Sequence, residues 1–287
     1  MFLKTNRKVA VHIKDGKIFL CVVNYQDSLV KVECLQELPL DEEKLFQFVR
    51  EKGIKRLPVY LAVGGNQIFS RVIFLPPVPE EEIKQALQWE VTKYLPLSPE
   101  EIIFDYEIIN QIQIKDGKEI PLFIIAARRS YLENYCDLLA KVGLKPSVVD
   151  VEGSILRYFY LYSVKKPERN GSCFIYLDKE RAVLSFLYKE SLLFIYNVEN
   201  KEIVNKVITE YMRVSRYLKG QFQIPGRQNI YLTGKVDDST LNLFKDKLDV
   251  SVQRAQLPLE KFQFSSQLQN IDSSFLFTLG LLLREVG

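Results

Sequence analysis

A helix enclosed by prolines lies in the first half of this chain, and the elements on either side are arranged about it. From Leu75 to Tyr106 the sequence reads LPPVPEEEIKQALQWEVTKYLPLSPEEIIFDY. Pro76, Pro77 and Pro79 hold the backbone extended and deny it a helix before Pro79. Glu80, Glu81 and Glu82 then place negative charge where the positive end of a helix dipole favours it. Ile83, Ala86, Leu87, Glu90, Val91 and Tyr94 recur at helical spacing, and Pro96 stops the helix. A short segment, Pro99 to Glu101, leads into an apolar strand, Ile102 to Tyr106. Trp89, the only tryptophan, sits mid-helix; a tryptophan there is first a candidate for the core, and only second for a contact surface.

Before this stretch, residues 8–13 and 17–24 are β-branched runs joined by Lys14–Asp15–Gly16, a hairpin with Asp-Gly turn chemistry. A third strand is expected over 29–37 and a helix over 41–52, with Asp41 as its cap, Leu45, Phe46 and Val49 as its apolar face and Gly53 at its end. Strands follow over 57–63 and 67–75, separated by Gly64–Gly65–Asn66. After it, residues 102–113 and 119–127 pair across Lys115–Asp116–Gly117–Lys118. A helix runs over 130–142, opened by a capping box of Ser130 and Glu133 and closed by Gly143. A strand over 146–151 and an apolar, aromatic helix over 153–164 complete the first half, that helix being expected between two domains.

Lys165 to Gly171 combines charge, proline and glycine and reads as a linker. Strands over 173–178, 182–188 and 192–198 form a meander. A helix over 199–219 ends at Gly220, and a strand (229–233), a helix (238–247) and a short strand (250–254) follow. The last helix, 272–285, is amphipathic with Asp272 or Ser273 as cap. The order β-β-β-α-β-α thus occurs twice, loosely, as two related domains would show.

At 287 residues two domains are expected. The formal charge of +3 is spread without a basic block, which argues against nucleic acid as partner. No apolar run reaches the length of a spanning helix, and no signal peptide is visible at Met1 to Lys8, so a cytoplasmic location is expected. Cys21, Cys34, Cys136 and Cys173 are scattered and His12 is the only histidine, so neither a metal site nor a Cys/His or Ser/His nucleophile is expected.

The string from Pro79 to Tyr106, P-x-x-E-I-x-x-A-L-x-W-E-x-x-x-Y-L-P-L-x-x-E-x-I-x-x-D-Y, resembles the PilM family of type IV pilus assembly. The likeness continues through Ile124–Ile125–Ala126–Ala127–Arg128, Val142–Gly143–Leu144–Lys145–Pro146 and Val149–Asp150–Val151–Glu152. It implies an actin-like ATPase (ribonuclease H-like) fold of two domains, with an FtsA/PilM-type inserted subdomain 1C and subdomain 2B reduced or missing. Residues 1–166 would form domain 1, with 1C over about 71–146, and 172–287 domain 2 (about 172–270), helix 272–285 packing back on domain 1.

The resemblance also implies a nucleotide cleft, and here the chain departs from the family. The first phosphate turn, Asp-Ile-Gly and then Lys in the family, has His12 for the aspartate, Lys14 for the glycine and Phe19 for the lysine, around Asp15 and Gly16. The second hairpin keeps Asp178 but lacks glycine, and carries Lys179, Glu180 and Arg181. The third, glycine-rich turn retains Gly234 alone. Only glycine lets backbone amides close on a phosphate chain, so a nucleotide-free scaffold without cofactor, metal or catalytic residue is expected; Asp15, Asp150 and Asp178 are the carboxylates available to magnesium under the alternative, an ATP-binding enzyme with divergent phosphate loops. The implied partner is the cytosolic N-terminal peptide of a PilN-type membrane protein, which would hold the chain at the inner membrane beside motor or platform components; a homo-oligomer is left open by the sequence. The groove for that peptide is expected to use Trp89, Glu90, Tyr94, Leu95, Pro96, Leu97 and Arg128. The related cytosolic domain of the secretion protein GspL shares the fold.

Overall fold

The computed structural model describes residues 6–26, 29–110, 112, 119–164, 171–222, 228–264 and 272–285. They belong to two compact units: residues 1–64, 133–165 and 256–287 form the first, and 65–132 with 166–255 the second. The segment expected as an insertion, about 71–146, is thus shared, 65–132 falling in the second unit and 133–146 in the first.

In the first unit, β1 (Arg7–Lys14), β2 (Lys17–Gln26) and β3 (Leu29–Pro39) form an antiparallel meander, and α1 (Glu42–Glu51) leads to β4 (Pro58–Val63). Asp41 caps α1 by accepting from the Lys44 amide at 2.8 Å. Its buried face is Leu45, Phe48 and Val49; Phe46, expected inside, is exposed, because the i, i+3, i+4 stripe from Leu45 selects Phe48.

The second unit holds β5 (Ile68–Leu75), α2 (Glu80–Thr92), β6 (Ile102–Ile108) and β7 (Ile120–Arg128). These make a three-stranded sheet in the order β5-β7-β6. Ile83, Leu87 and Val91 of α2 bury against Ile73, Leu75, Ile102, Leu122, Ile124 and Ala126 of that sheet. The expected turn between β6 and β7, Lys115–Asp116–Gly117–Lys118, lies outside the described residues. Helix α3 (Arg129–Lys141) starts one residue before Ser130, so Ser130 lies inside the helix rather than capping it; the Arg129 guanidinium donates to Glu100 O at 2.8 Å.

The chain returns to the first unit with β8 (Lys145–Val151) and α4 (Glu152–Ser163). Of the expected linker, Lys165 to Gly171, all but Gly171 lies outside the described residues. In the second unit, β9 (Ser172–Leu177), β10 (Arg181–Tyr188) and β11 (Ser191–Glu199) form the expected meander. Then come α5 (Ile203–Phe222), β12 (Asn229–Gly234), α6 (Asp238–Lys247) and β13 (Val252–Arg254). Gly220 does not end α5; the helix runs on to Phe222, whose ring meets Phe74 at 5.9 Å between centroids. Between β11 and β12 there is α5 and little else, which leaves no length for a further subdomain. The five strands order as β11-β10-β9-β12-β13.

Two features of the first unit were not legible beforehand. A short strand, β14 (Phe262–Phe264), adds in parallel to β3 and completes the order β14-β3-β2-β1-β4-β8. The final helix, α7 (Leu276–Leu283), is shorter than expected and not amphipathic: all eight of its residues are buried. Asp272 caps the turn that precedes it, accepting from Ser274 N at 2.7 Å. A helix buried on every side is part of the core rather than a cover for it, and α7 packs on β1, β4 and α4.

Gly280 permits the α4–α7 crossing. A Cβ there would stand 2.4 Å from Ile155 Cγ2 and 2.7 Å from Phe159 Cε2. Overpacking of a tight core costs about 1–3 kcal/mol. Gly280→Ala is therefore expected to destabilise the protein by that amount, read as a lower urea midpoint at unchanged slope; an unchanged midpoint would mean that the two helices separate without cost.

Candidate functional site

The residues of interest sit in three places, each inside one unit. The first is the β1–β2 hairpin of the first unit. Its strands pair without interruption from Arg7↔Asn24 to Lys14↔Lys17. Two residues are left for the turn, Asp15 (φ 50°) and Gly16 (φ 69°), the left-handed pair of a type I′ turn. The Gly16 carbonyl accepts from Leu40 N at 2.7 Å, and the Lys14 ammonium lies 3.5 Å from the Asp15 carboxylate. The hairpin is closed by its own ladder.

His12 lies three residues before this turn and is 1 % exposed. Its Nε2 is 2.7 Å from Oε1 of Glu152, which is also 1 % exposed and begins α4. Phe277 meets the imidazole edge-on at 5.0 Å, and Phe19 lies tilted at 6.1 Å. Gly64 makes room for the carboxylate: a Cβ on it would fall 1.9 Å from Glu152 Oε2. Breaking a buried charged contact from one side costs about 3–5 kcal/mol. His12→Ala is expected to lose stability in that range. Glu152→Gln keeps an acceptor oxygen towards the ring, so chemical denaturation should show a clearly smaller loss; equal losses would mean that charge, not the hydrogen bond, dominates the contact.

Asp150, two residues upstream, is not displayed for a metal. Burial raises its carboxyl above the usual range, against the pull of the Tyr158 hydroxyl (2.9 Å), the Val151 amide (2.8 Å) and Arg284 (3.5 Å). Among the described residues no group of three or more His, Cys, Asp or Glu side chains is placed to hold a metal ion.

The second place is the β9–β10 hairpin of the second unit. Asp178 N–H donates to Arg181 O at 2.9 Å, and Lys179 N–H donates to Oδ1 of Asp178 at 2.8 Å. The Lys235 ammonium stands 2.7 Å from the same oxygen. The Asp178 carboxylate thus engages both the Lys179 amide of its own turn and the Lys235 ammonium. Lys179 and Glu180 are exposed. Gly234 (φ 87°) closes β12 on β9: a Cβ there would stand 2.2 Å from Leu177 O, so glycine is required by strand packing alone.

The third place is the three-stranded sheet with α2 and the strand edge beside it. With Ile83, Leu87 and Val91 turned inward, Trp89 is left 65 % exposed. Glu90 pairs with Lys93 at 2.5 Å. Tyr94 stacks on Phe69 at 5.8 Å, with the Arg71 guanidinium 4.5 Å from its ring centre. Leu95 and Leu97 are half-buried against the core beneath α2, and Pro96 is exposed. Arg128 is exposed and lies 3.5 Å from Glu101. The seven residues expected to line one groove therefore differ: Tyr94, Leu95 and Leu97 help to build the sheet's cover, while Trp89 and Pro96 face solvent and Glu90 and Arg128 make surface ion pairs.

Beside Tyr94 runs a groove of about 480 Å³ that sequence reasoning missed. Residues 68–71 of β5 form one side, 194–197 of β11 its floor, and Arg213, Val214 and Tyr217 of α5 the other side. Ser70 Oγ donates to Ile195 O at 3.1 Å and accepts from Ile195 N at 2.9 Å, joining the two strand edges through one hydroxyl. The contributing segments are far apart in sequence, so no local signal announces the groove. Glu152 was missed too; its one signal is a carboxylate opening an otherwise apolar helix.

The family model for type IV pilus assembly protein PilM matches residues 20–178, more than half of the chain. Comparison with curated proteins finds no match. Among solved structures, the PilM-PilN type IV pilus biogenesis complex is similar with a TM-score of 0.72 at 21 % identity, covering 98 % of each chain. The cytoplasmic domain of EpsL, an inner membrane component of the type II secretion system of Vibrio cholerae, gives 0.59 at 10 % identity over 96 % of this chain and 94 % of that one. A Bacteroides thetaiotaomicron protein with actin-like ATPase fold gives 0.55 at 12 % identity over 98 % and 96 %. At these identities the structures establish the fold, which is the actin-like ATPase fold.

Proposed function

This chain belongs to the family of type IV pilus assembly protein PilM, and we propose that it serves there as a scaffold that holds the cytosolic N-terminal tail of a PilN-type membrane protein without turning over nucleotide. A similar protein is known in a PilM-PilN complex. No helix among the described residues is long and apolar enough to cross a membrane. On this reading the chain reaches the inner membrane through its partner and presents motor or platform components with a fixed surface.

The observation that carries the binding half is the exposure of Trp89. A tryptophan left 65 % exposed, on a helix whose other large apolar residues are buried, forfeits the burial free energy of a large ring. Tryptophan is also enriched among the residues that dominate interface energetics. Pro96 and the half-buried Leu95 and Leu97 continue the surface beyond the helix end. The closed hairpins support the other half. The Asp15–Gly16 turn has two residues, and the Asp178 carboxylate with Lys235 occupies the second turn, so neither offers a run of amides to a phosphate chain.

The test is fluorescence polarisation with a labelled peptide of the first fifteen or so residues of the cognate PilN-type protein. The intact protein should bind it saturably. Trp89→Ala should weaken binding tenfold or more, since hot-spot truncations cost ~2 kcal/mol or above. Its melting temperature should be unchanged, because the side chain is exposed. Equal affinity for the two proteins would remove Trp89 from the site.

A further inference from the structure

We infer that the groove between β5, β11 and α5 is a second peptide site, built to take an extended acidic segment of a partner chain. It lies wholly within the second unit and does not depend on Trp89 or on the PilN reading.

Length comes first. Four residues of each bordering strand line the groove. At the strand rise this is ~13 Å, room for about four extended residues. The floor is a strand edge. Ile195 turns its N–H and C=O away from β10, since both meet the Ser70 hydroxyl. Antiparallel pairing alternates these directions every two residues. Val183↔Asn197 is therefore the same kind of pair as Ser185↔Ile195, and the Asn197 main chain faces the same edge. Because Ser70 already holds the Ile195 groups, a strand laid there can add to the edge only at the Asn197 main chain, as peptides add to sheet edges elsewhere.

Charge selects the occupant. The guanidinium of Arg71 lies over Tyr94 on one side of the groove, and that of Arg213 over Tyr196 on the other, 4.5 and 5.2 Å from the ring centres. Among the described residues Arg71 makes no ion pair. Arg213 donates to Glu210 at 2.7 Å, and Lys206 reaches the same carboxylate at 2.8 Å. Burial alone would raise the Glu210 carboxyl; the hydrogen bonds from Lys206 and Arg213 outweigh it and hold it below the usual range. Arg71 and Arg213 are the charged residues that line the groove, and with Lys206 sharing the neutralisation of Glu210 the groove stays positive. A planar guanidinium held over a ring keeps its edge N–H groups free for a carboxylate. Phe69 and Tyr217 offer apolar walls to the neighbouring side chains. The fitting segment alternates acidic and apolar residues.

The probe is a blocked, labelled peptide, acetyl-Val-Glu-Val-Glu-Val-amide, titrated into the full chain beside its Val-Gln-Val-Gln-Val counterpart. The acidic peptide should bind saturably and at least tenfold more tightly, and raising salt from 0.05 to 0.5 M should weaken it, as partly exposed charges are screened. Arg71→Gln should abolish the preference for glutamate, Arg71→Lys should restore it in part, and Trp89→Ala should leave it untouched. Equal binding of the two peptides to the intact protein overturns the proposal whether or not the variants fold. So does failure of either to bind at millimolar concentration, retention of the preference in a folded Arg71→Gln protein, or displacement by free glutarate as effective as by the peptide, which would mark a small-acid site. Loss of acidic-peptide binding in Trp89→Ala would merge this site with the PilN surface and overturn its independence.

Discussion

A buried imidazole and a buried carboxylate, 2.7 Å apart, organise the first unit. The contact joins β1 to the first turn of α4, and it fits only because Gly64, just past β4, has no side chain to meet Glu152. Phe277 of α7 closes it on one side and Phe19 of β2 on another. Five elements therefore converge on one polar pair, and each constrains the others. A buried polar group needs a partner, and the register of β1 against β4, where His12 lies opposite Ala62, accompanies the approach of the ring to the acid. The fully apolar α7 is the complement of that pair: a helix that needs no aqueous face can seal it from water.

The same contact bears on function. At position 12 the family pattern has an aspartate facing a phosphate turn, and here a histidine is turned into the core. The turn that follows has two residues, and in the second unit the Asp178 carboxylate accepts from the Lys179 amide of its own loop and pairs with Lys235. Both turns are satisfied by contacts of their own, through different chemistry. On the proposed reading, in which no nucleotide is turned over, the chain acts through its surfaces. The surfaces that stand out here are an exposed tryptophan on α2 and an arginine-flanked groove along β11, both on the unit that carries the three-stranded sheet.

What could be read beforehand was local. The Asp-Gly turn between β1 and β2 and the proline-bounded start of α2 depend on neighbouring residues only, and each stood where its chemistry put it. The cap of α1 by Asp41 is of the same kind. Readings that required a distant partner fared differently. Phe46 and Phe48 are equally apolar; the stripe through Leu45 and Val49, packed on the sheet, selects Phe48. Gly220 lay within α5 because the Phe222–Phe74 contact outweighed the local helix penalty of glycine. β14 has three residues and exists by pairing with β3. Position 12 was legible as a departure from the family pattern, but its partner Glu152 lies 140 residues away, and the groove draws on strands and a helix still more scattered.

The most direct measurement is a titration of the purified protein with ATP and Mg²⁺, by calorimetry and by thermal shift together. A ligand that binds only the folded state must raise apparent stability by mass action, by about 2.7 kcal/mol at a hundred times its dissociation constant. The account predicts no heat of binding and no shift in melting temperature at millimolar ATP. A saturable, Mg²⁺-dependent shift would contradict it, and would mean that the turns at Asp15–Gly16 and Asp178–Arg181 open to admit a phosphate chain.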